Sequence, residues 1–399
     1  MICLLAAGRF AARIKLRTIR CVLGLCAAAS LCGVGVTASA ATNEILWEAP
    51  GVCYYREVNP RLPLTVHVVR IDRAQKDLEF HTTLGGGGQI GNAVLSDQAK
   101  SIKPEFGQPV AAINGDYFYQ YQPLFGDPMN LQILHGGELV SGPGLDRAFL
   151  YLDAQGEPHL TNAVDAFCVT WPDGKATPIG LNELPSDTRK SVLFTSAAGP
   201  TTRIGGLELV LERIGDQPWL PLRVGQTLSA KVREVNRQGF SKITADGLVL
   251  SLDPKQLDQF PPLVPGLELK ISPATTPDLS GATLAIGGGP SLVREGKARE
   301  SQGFRGQMRE PRSAIGWNSQ YYYFVQADGR QPRYSMGMSL AEMANYFVAL
   351  KCDYAINLDG GGSCTTWIAG KIVNSPSQGG RERPSANALV LVRKPTAGK

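Results

Sequence analysis

Histidine is rare in this chain of 399 residues, which contains only four: His67, His81, His135 and His159. They are widely separated, and neither a CxxC pair nor an HxxxH pair occurs anywhere. Zinc sites commonly combine such closely spaced ligands. The sequence therefore predicts no zinc site and argues against a dinuclear metal centre built from histidines.

Acidic residues are absent from the first forty positions. The same segment holds five lysine and arginine residues, followed by an apolar run from Val22 to Val36 and by Ala38-Ser39-Ala40. A basic start, an apolar centre and a small-residue cleavage site are typical of a secretory signal peptide. We therefore expect an exported protein, periplasmic or extracellular. An uncleaved membrane anchor is the alternative.

Long hydrophobic runs are missing from the rest of the chain, so we expect no stable membrane insertion once the signal is cleaved. Cleavage after residue 40 would leave 35 basic and 35 acidic residues, a net charge of zero. The sequence pI near 8.7 therefore reflects the signal segment. Nothing in the remaining charge indicates a nucleic-acid partner.

Half of the eight cysteines also lie in the signal segment. The four that remain are Cys53, Cys168, Cys352 and Cys364, an even number that suggests disulfides in an exported protein and allows three connectivities. Because Cys352 and Cys364 bracket one short segment, we predict a disulfide between them. Buried free thiols are the alternative.

Glycine and proline are abundant, with 45 and 27 residues, which predicts many turns and a β-rich body. The β-branched run Leu64–Asp72 predicts a strand, and Ser339 with Glu342 predicts a capping box that starts a helix. The fold class expected is mixed α+β and largely β. We divide the chain into four segments: a signal peptide at 1–40, a catalytic domain split into 41–165 and 281–399, and a β-rich insertion at 166–280.

Two predicted strands end in clusters of small polar residues and glycine. Residues 355–358 form one strand, followed by Asp359, by the glycines Gly360, Gly361 and Gly362, and by Ser363. Residues 109–113 form the other, followed by Asn114, Gly115 and Asp116. Glycines allow a ligand to approach the backbone closely, and successive amides can bind an anion. The repeated pattern predicts a functional site, although plain turns would use the same residues.

These segments together resemble the phosphodiester glycosidase family. The resemblance covers about residues 60–165 and 283–395, and it is weak between 166 and 280. Cys364 and Thr366 lie where family members vary, and Ser385 lies where valine is common. The matching motifs are Ala112–Phe118, Ala285–Pro290, Pro311–Gly316, Ser335–Leu340, Asn357–Ser363 and Arg383–Leu389.

The resemblance implies a sugar-1-phosphodiester, or a phosphate-containing glycan, as substrate. Such a molecule is anionic and its anomeric C–O bond must break. Arginine holds phosphate by bidentate geometry, and carboxylates support the reacting sugar or activate water. The predicted catalytic residues are Asp116 and Asp359. The predicted substrate-binding residues are Asn114, Arg312, Asn357, Gly360, Gly361, Gly362, Ser363, Thr365 and Arg383.

Plainer roles exist for each of these residues. Either arginine could form a structural salt bridge, and either aspartate could cap the turn that it begins. No cofactor is expected, although oxygen ligands at these turns could hold a Ca²⁺ ion. Two other functions also stay open: a non-catalytic envelope protein that binds anionic polysaccharide, and a metal-dependent phosphodiesterase that cuts the P–O bond.

Overall fold

The structure is a computed structural model that describes residues 42–59, 61–122, 125–216, 219–300 and 304–395. The predicted signal peptide lies outside these residues. The described residues fall within one unit, Ala40–Lys399. No helix in the described part of the chain has both the length and the apolar character needed to cross a membrane.

Strands dominate the described residues, as expected for a largely β protein. The helices are few and short, so the α component is small: α1 (Leu95–Lys100), α2 (Phe304–Gln307) and α3 (Leu340–Ala349). In chain order the strands are β1 (Thr42–Ala49), β2 (Val52–Asn59), β3 (Leu64–Asp72), β4 (Leu78–Thr82), β5 (Gln108–Asn114), β6 (Gln132–Leu134), β7 (Glu138–Ser141), β8 (Phe149–Leu152), β9 (Pro158–Thr161), β10 (Val164–Thr170), β11 (Ala176–Leu181), β12 (Ser191–Phe194), β13 (Leu207–Arg213), β14 (Leu228–Asn236), β15 (Leu248–Leu252), β16 (Glu268–Thr276), β17 (Leu284–Gly287), β18 (Ser291–Arg294), β19 (Lys297–Ala298), β20 (Arg312–Trp317), β21 (Tyr321–Ala327), β22 (Tyr354–Asn357), β23 (Thr366–Ile368), β24 (Lys371–Ile372) and β25 (Ala388–Arg393).

The strands form three open sheets and one closed barrel. An eight-stranded sheet has the order β1-β2-β3-β21-β20-β22-β18-β19, and two five-stranded sheets have the orders β7-β6-β17-β8-β9 and β24-β23-β5-β25-β4. The barrel has the order β10-β11-β12-β15-β13-β14-β16 and closes between β10 and β16. Burial explains the confirmed β3 strand, because its apolar side chains are buried inside the large sheet.

The open sheets share one apolar core. Side chains from the large sheet, such as Ile315 and Ile356, pack in a single cluster with Ile113 and Leu389 of the sheet that contains β5. Because the two sheets pack face to face, the ends of β5 and β22 are brought to one place. Those are the two strands that end in the predicted polar clusters.

Helix α3 covers the other face of the large sheet and leads into β22. Its predicted capping box is confirmed: the Ser339 hydroxyl accepts from the Glu342 N–H at 3.1 Å, and the Glu342 carboxylate accepts from the Ser339 N–H at 2.8 Å. Met343 and Phe347 are fully buried on its inner face. The helix therefore fixes where the chain enters the strand that leads to Asp359.

The predicted disulfide between Cys352 and Cys364 is wrong. All four cysteines among the described residues are free thiols. Cys352 lies in the core beneath α3, whereas Cys364 follows the glycine turn at the far end of β22. An extended strand rises about 3.3 Å per residue, so the strand between them separates the two sulfurs too far for a bond. Two cysteines that flank a strand in the sequence lie at opposite ends of it in the structure.

Candidate active site

Asn114, at the end of β5, joins three segments of the chain. Its side-chain amide donates to the carbonyl oxygen of Asp359 at 2.8 Å. Its Oδ1 accepts from the Ser313 hydroxyl at 2.7 Å and from the backbone N–H of Thr365 at 3.1 Å. The side chain is fully buried. Asn114 therefore positions the turn after β22, and Thr365 is part of the same scaffold through its backbone.

Asn357, at the end of β22, also joins separate segments of the chain. Its Nδ2 donates to the Tyr117 hydroxyl at 2.7 Å and to the carbonyl of Gly289 at 3.1 Å. Its Oδ1 is buried without a hydrogen-bond partner among the described residues. This amide connects the loop after β5 to the loop after β17, and it places the Tyr117 hydroxyl beside the two carboxyl groups.

Asp359 forms the centre of a charged cluster. Its Oδ2 accepts from Arg383 Nη2 at 3.1 Å, and its Oδ1 accepts from the Gly360 N–H at 2.9 Å. Arg383 also donates to the Ser363 hydroxyl, with 3.1 Å from Nε. Burial raises the pKa of Asp359, and Ser363 and Arg383 act in the opposite direction. The structure thus brings together Asp359, Ser363 and Arg383, which the sequence had separated by up to 24 residues.

Asp116 lies next to this cluster and is 1% exposed. Its Oδ1 accepts from the backbone N–H of Tyr117 at 2.7 Å, while its Oδ2 has no hydrogen-bond partner within the described part of the chain. Burial raises the pKa of Asp116 to about 8, although the Arg147 charge acts to lower it, and the nearby Asp359 carboxylate adds to the rise. Asp116 is therefore protonated at neutral pH.

A second run of glycines, Gly287–Gly289, forms one wall of the site. A Cβ on Gly287 would lie 2.2 Å from Asp116 Oδ2, far inside van der Waals contact. A Cβ on Gly288 would lie 2.5 Å from the carbonyl oxygen of Asn357. Only glycine fits at these two positions, because the backbone approaches the carboxyl group and the strand end directly.

The glycine turn after Asp359 is less open to anions than the sequence suggested. The Gly360 N–H donates to Asp359 and the Gly361 N–H donates to the carbonyl of Pro311 at 2.9 Å. Gly361 has a φ of 61°, which glycine adopts without strain. Two of the three amides are thus engaged within the protein. Side chains pack closely on the turn, with the Arg383 side chain and Gln378 Nε2 both against Gly362.

Two further arginines lie near the same turn. Arg312 is 8% exposed, and it donates from Nε to the carbonyl of Met338 and from Nη2 to that of Met308, both at 3.1 Å. Burial lowers its pKa. Arg330 is about half exposed and is paired with Glu310 at 2.6 Å. Its guanidinium lies beside Gly361, so it is the more accessible cation at this point.

The sequence did not single out four of the side chains that complete the site: Tyr117, Arg147, Arg330 and Gln378. Tyr117 directly follows Asp116, so its place next to a predicted catalytic residue was a usable signal. Arg147 lies over the Tyr117 ring, with its guanidinium carbon 5.1 Å from the ring centroid. Arg147, Arg330 and Gln378 come from three other segments that are remote in sequence. None of these segments carries a local pattern that indicates a site.

The environment of Asp359 fits a calcium ligand poorly. One of its oxygens faces a backbone N–H and the other faces the Arg383 guanidinium. A Ca²⁺ ion requires several oxygen ligands that face it together, whereas these oxygens already accept from donors, one of them a cation. The Asp359 carboxylate is held instead by one guanidinium and one backbone N–H.

The fold and the site together define a largely β protein with two neighbouring buried carboxyl groups, one protonated and one paired with an arginine. Further arginines surround them at the ends of strands from two sheets. Chemically, such a site can supply an acid, a charged carboxylate and cations for an anionic group.

The comparison with protein families agrees with the motifs. Residues 225–392 match the profile of the phosphodiester glycosidase family. This confirms the predicted resemblance from 283 to 392 and extends it to 225, into the segment where the resemblance is weak. The matched range contains Arg312, Asp359 and Arg383, but it does not include Asp116. A prophage-derived uncharacterized protein of Bacillus subtilis, YomE, is 35% identical over 115 residues. That match takes in 28% of this chain and 18% of YomE.

Two solved structures are similar in fold. A hypothetical protein from Synechocystis has a TM-score of 0.69 at 21% identity, covering 89% of this chain and 65% of its own. A protein from Burkholderia pseudomallei, described as exported, has a TM-score of 0.61 at 21% identity, covering 82% of this chain and 74% of its own. At this identity the likeness concerns the fold alone.

Proposed function

We propose that the protein hydrolyses the glycosidic C–O bond of a sugar-1-phosphodiester. The observation that carries the proposal is the cluster of Asp359, Arg383 and Ser363 with the buried Asp116 beside it. The match of residues 225–392 to the phosphodiester glycosidase family supports the same chemistry.

The two aspartates take different roles because their surroundings differ. Asp116 keeps its proton at neutral pH and serves as an acid or hydrogen-bond donor. Asp359 is bound by Arg383 and by the Gly360 N–H, which favour its charged form, so it stabilises the positive charge that develops at the anomeric carbon or activates water. Burial raises the pKa of both groups, but only Asp359 is paired with an arginine, and such a difference in surroundings is how two carboxyl groups come to serve as acid and base.

The phosphate is held by arginines in this proposal. Arg383 and Arg312 are the residues predicted from the sequence, and Arg330 joins them because it lies beside Gly361 and is about half exposed. The Tyr117 hydroxyl accepts from Asn357, and its pKa is raised to about 12 by burial. It therefore retains a proton that it can donate to a sugar or phosphate oxygen.

In the proposed reaction the C1–O bond breaks and its electron pair leaves on the phosphate oxygen. A water oxygen bonds to C1, and the proton that this water releases passes to a carboxylate. The products are the free sugar and a phosphate monoester. Because the phosphate monoester leaves as a stable anion, the reaction needs less help from an acid than the loss of an alkoxide would.

The decisive experiment is incubation of the purified protein with a panel of sugar-1-phosphodiesters in ¹⁸O-water. Cleavage of the C–O bond leaves the phosphate-containing product unlabelled, whereas a phosphodiesterase that cuts the P–O bond places ¹⁸O in that product. Binding without turnover of any member of the panel would instead favour an envelope protein that binds anionic glycans. Either of the last two results would overturn the proposal.

Titration of Asp116 gives a test that needs no substrate. Its pKa is raised by burial from 3.8 to about 8 in the folded protein. A group whose pKa is raised by folding adds stability that is present below its unfolded pKa and lost as the pH rises through its folded pKa. We therefore expect this stability to be lost between about pH 4 and pH 8. The Asp116→Asn variant should lack that loss.

The measurement is the melting temperature of wild type and Asp116→Asn between pH 4 and pH 9. The variant should gain stability relative to wild type as the pH rises. Asp258→Asn, which changes an exposed carboxylate, is the matched control and should follow the wild type. A constant difference between wild type and Asp116→Asn over the whole range would contradict a buried, protonated Asp116.

We also propose that the protein acts outside the cytoplasm. The sequence of the first forty residues and the description of the Burkholderia pseudomallei relative as exported both support this location. N-terminal sequencing of protein recovered from outside the cytoplasm should find Ala41 at or near the start. Recovery of a chain that retains Val22–Val36 would indicate an anchored form instead.

A further inference from the structure

Two histidines that are 54 positions apart in the sequence meet in the structure beside a carboxylate. His81 and His135 stack with their ring centroids 3.9 Å apart and their planes 19° from parallel. Glu79 and His81 lie two residues apart on the edge strand β4, so their side chains project from the same face of the sheet. His135 follows β6. We call this group the Glu79–His81–His135 cluster.

Two of the distances between ligand atoms of the cluster are close to those found in a metal site. Glu79 Oε1 lies 2.9 Å from His81 Nε2 and 3.6 Å from His135 Nε2. All three residues offer ligand atoms within 4.8 Å of one another. With metal–ligand bonds of about 2.0–2.1 Å, two ligands of a tetrahedral zinc site are about 3.3–3.4 Å apart. The two observed distances lie on either side of this value.

An aromatic side chain packs on the two histidines of the cluster. Phe106 packs against both histidine rings, with centroid distances of 5.0 Å to His81 and 5.6 Å to His135. These contacts and the stacking hold the two rings nearly parallel, so the rings must turn toward each other for both Nε2 atoms to face one ion.

The cluster is accessible from one side. The His81 side chain is 3% exposed, whereas those of Glu79 and His135 are 25% and 34% exposed. Glu79 and His135 line an open cleft of about 900 Å³, to which Arg73, Lys76 and Lys394 also contribute. Neither Asp116 nor Asp359 lines this cleft. It is therefore distinct from the candidate active site.

We propose that the Glu79–His81–His135 cluster binds one divalent transition-metal ion of the zinc type. Two imidazole nitrogens and one carboxylate are a donor set that zinc uses when it keeps a fourth position for water or another ligand. Here that position would be supplied through the cleft. The site was hidden from sequence analysis because its histidines are far apart in the chain and satisfy no short spacing rule.

The test is calorimetric titration of the untagged full chain with Zn²⁺ alone. We expect one equivalent to bind in the wild type. Since loss of even an outer-sphere partner weakens metal binding about 10–100-fold, His135→Ala and Glu79→Gln should each weaken it by about 100-fold or more. The control is His159→Ala, which removes a histidine–carboxylate pair elsewhere on the surface, His159 Nε2 to Asp153 Oδ2 at 2.8 Å.

Titration with Co²⁺ gives a second readout, because tetrahedral Co²⁺ has visible absorption bands that the hexa-aqua ion lacks. These bands should develop with the wild type and His159→Ala and be lost with Glu79→Gln, a variant that keeps the size of the side chain. Melting curves verify that each variant is folded. Absence of Zn²⁺ binding by the wild type would overturn the proposal. So would unchanged affinity in both cluster variants, which would place the ion elsewhere.

Discussion

Replacing Asp359 with asparagine is expected to lower kcat on a sugar-1-phosphodiester by about 10²-fold or more, the range for loss of an essential general base or charge-stabilising group. Asp359 lies two positions after β22 and is 8% exposed. Its carboxylate accepts hydrogen bonds from the Gly360 N–H and from Arg383. Asparagine keeps the shape and one oxygen acceptor, but it removes the charge that would stabilise the anomeric centre. Steady-state kinetics on the substrate identified by the panel gives the measurement.

The control for this prediction separates chemistry from folding. Asp353→Asn changes an exposed carboxylate just before the same strand, and it should retain wild-type turnover. Melting curves for both variants check that the fold is intact, since Asp359→Asn also weakens an ion pair with the partly exposed Arg383. Turnover close to that of the wild type in a folded Asp359→Asn protein would remove this residue from the mechanism.

Replacing Arg312 with alanine should lower kcat/KM on phosphodiester substrates by about 10²-fold, the scale for removing one preorganised donor from a developing charge. Neutral aryl glycosides of the same sugar should lose far less, because they carry no phosphate for the cation to hold. Burial disfavours the charged form of Arg312 and lowers its pKa. An anionic group in the site would offset that cost.

Arg383→Ala provides the comparison for Arg312→Ala. Because Arg383 holds Asp359 directly, its loss should reduce turnover of both substrate classes. The Arg312→Lys variant, which keeps the charge but not the planar fork, should lie between wild type and alanine. An equal loss on phosphodiesters and aryl glycosides in Arg312→Ala would identify it as a structural arginine that serves the carbonyls of Met338 and Met308.

Local patterns were sufficient to predict the β3 strand and the start of α3. The β3 strand matches its predicted bounds because a β-branched apolar run buried on both faces can hardly be anything else. The α3 capping box could be predicted in the same way, because it depends on two residues that are three positions apart.

Contacts between distant segments were harder to predict from the sequence. The proximity of Asp116 to Asp359 could be anticipated only because both follow strands with the same ending. The failed pairing of Cys352 with Cys364 shows the limit of reasoning from closeness in sequence, since a strand between two residues holds them apart. Arg330 and the meeting of His81 with His135 depend on how the sheets and loops pack, which no local pattern contains.

The seven-stranded barrel has its entry and exit strands side by side. Val164, the first residue of β10, is paired with Thr276, the last residue of β16. Paired residues of antiparallel strands have Cα atoms only about 4.5–5.5 Å apart. The chain thus leaves the rest of the fold and returns to it at almost the same point. Lengthening, shortening or exchanging the barrel would leave the spacing of its attachment points unchanged. The barrel can therefore vary between proteins without disturbing the strands that lead to Asp116 and Asp359.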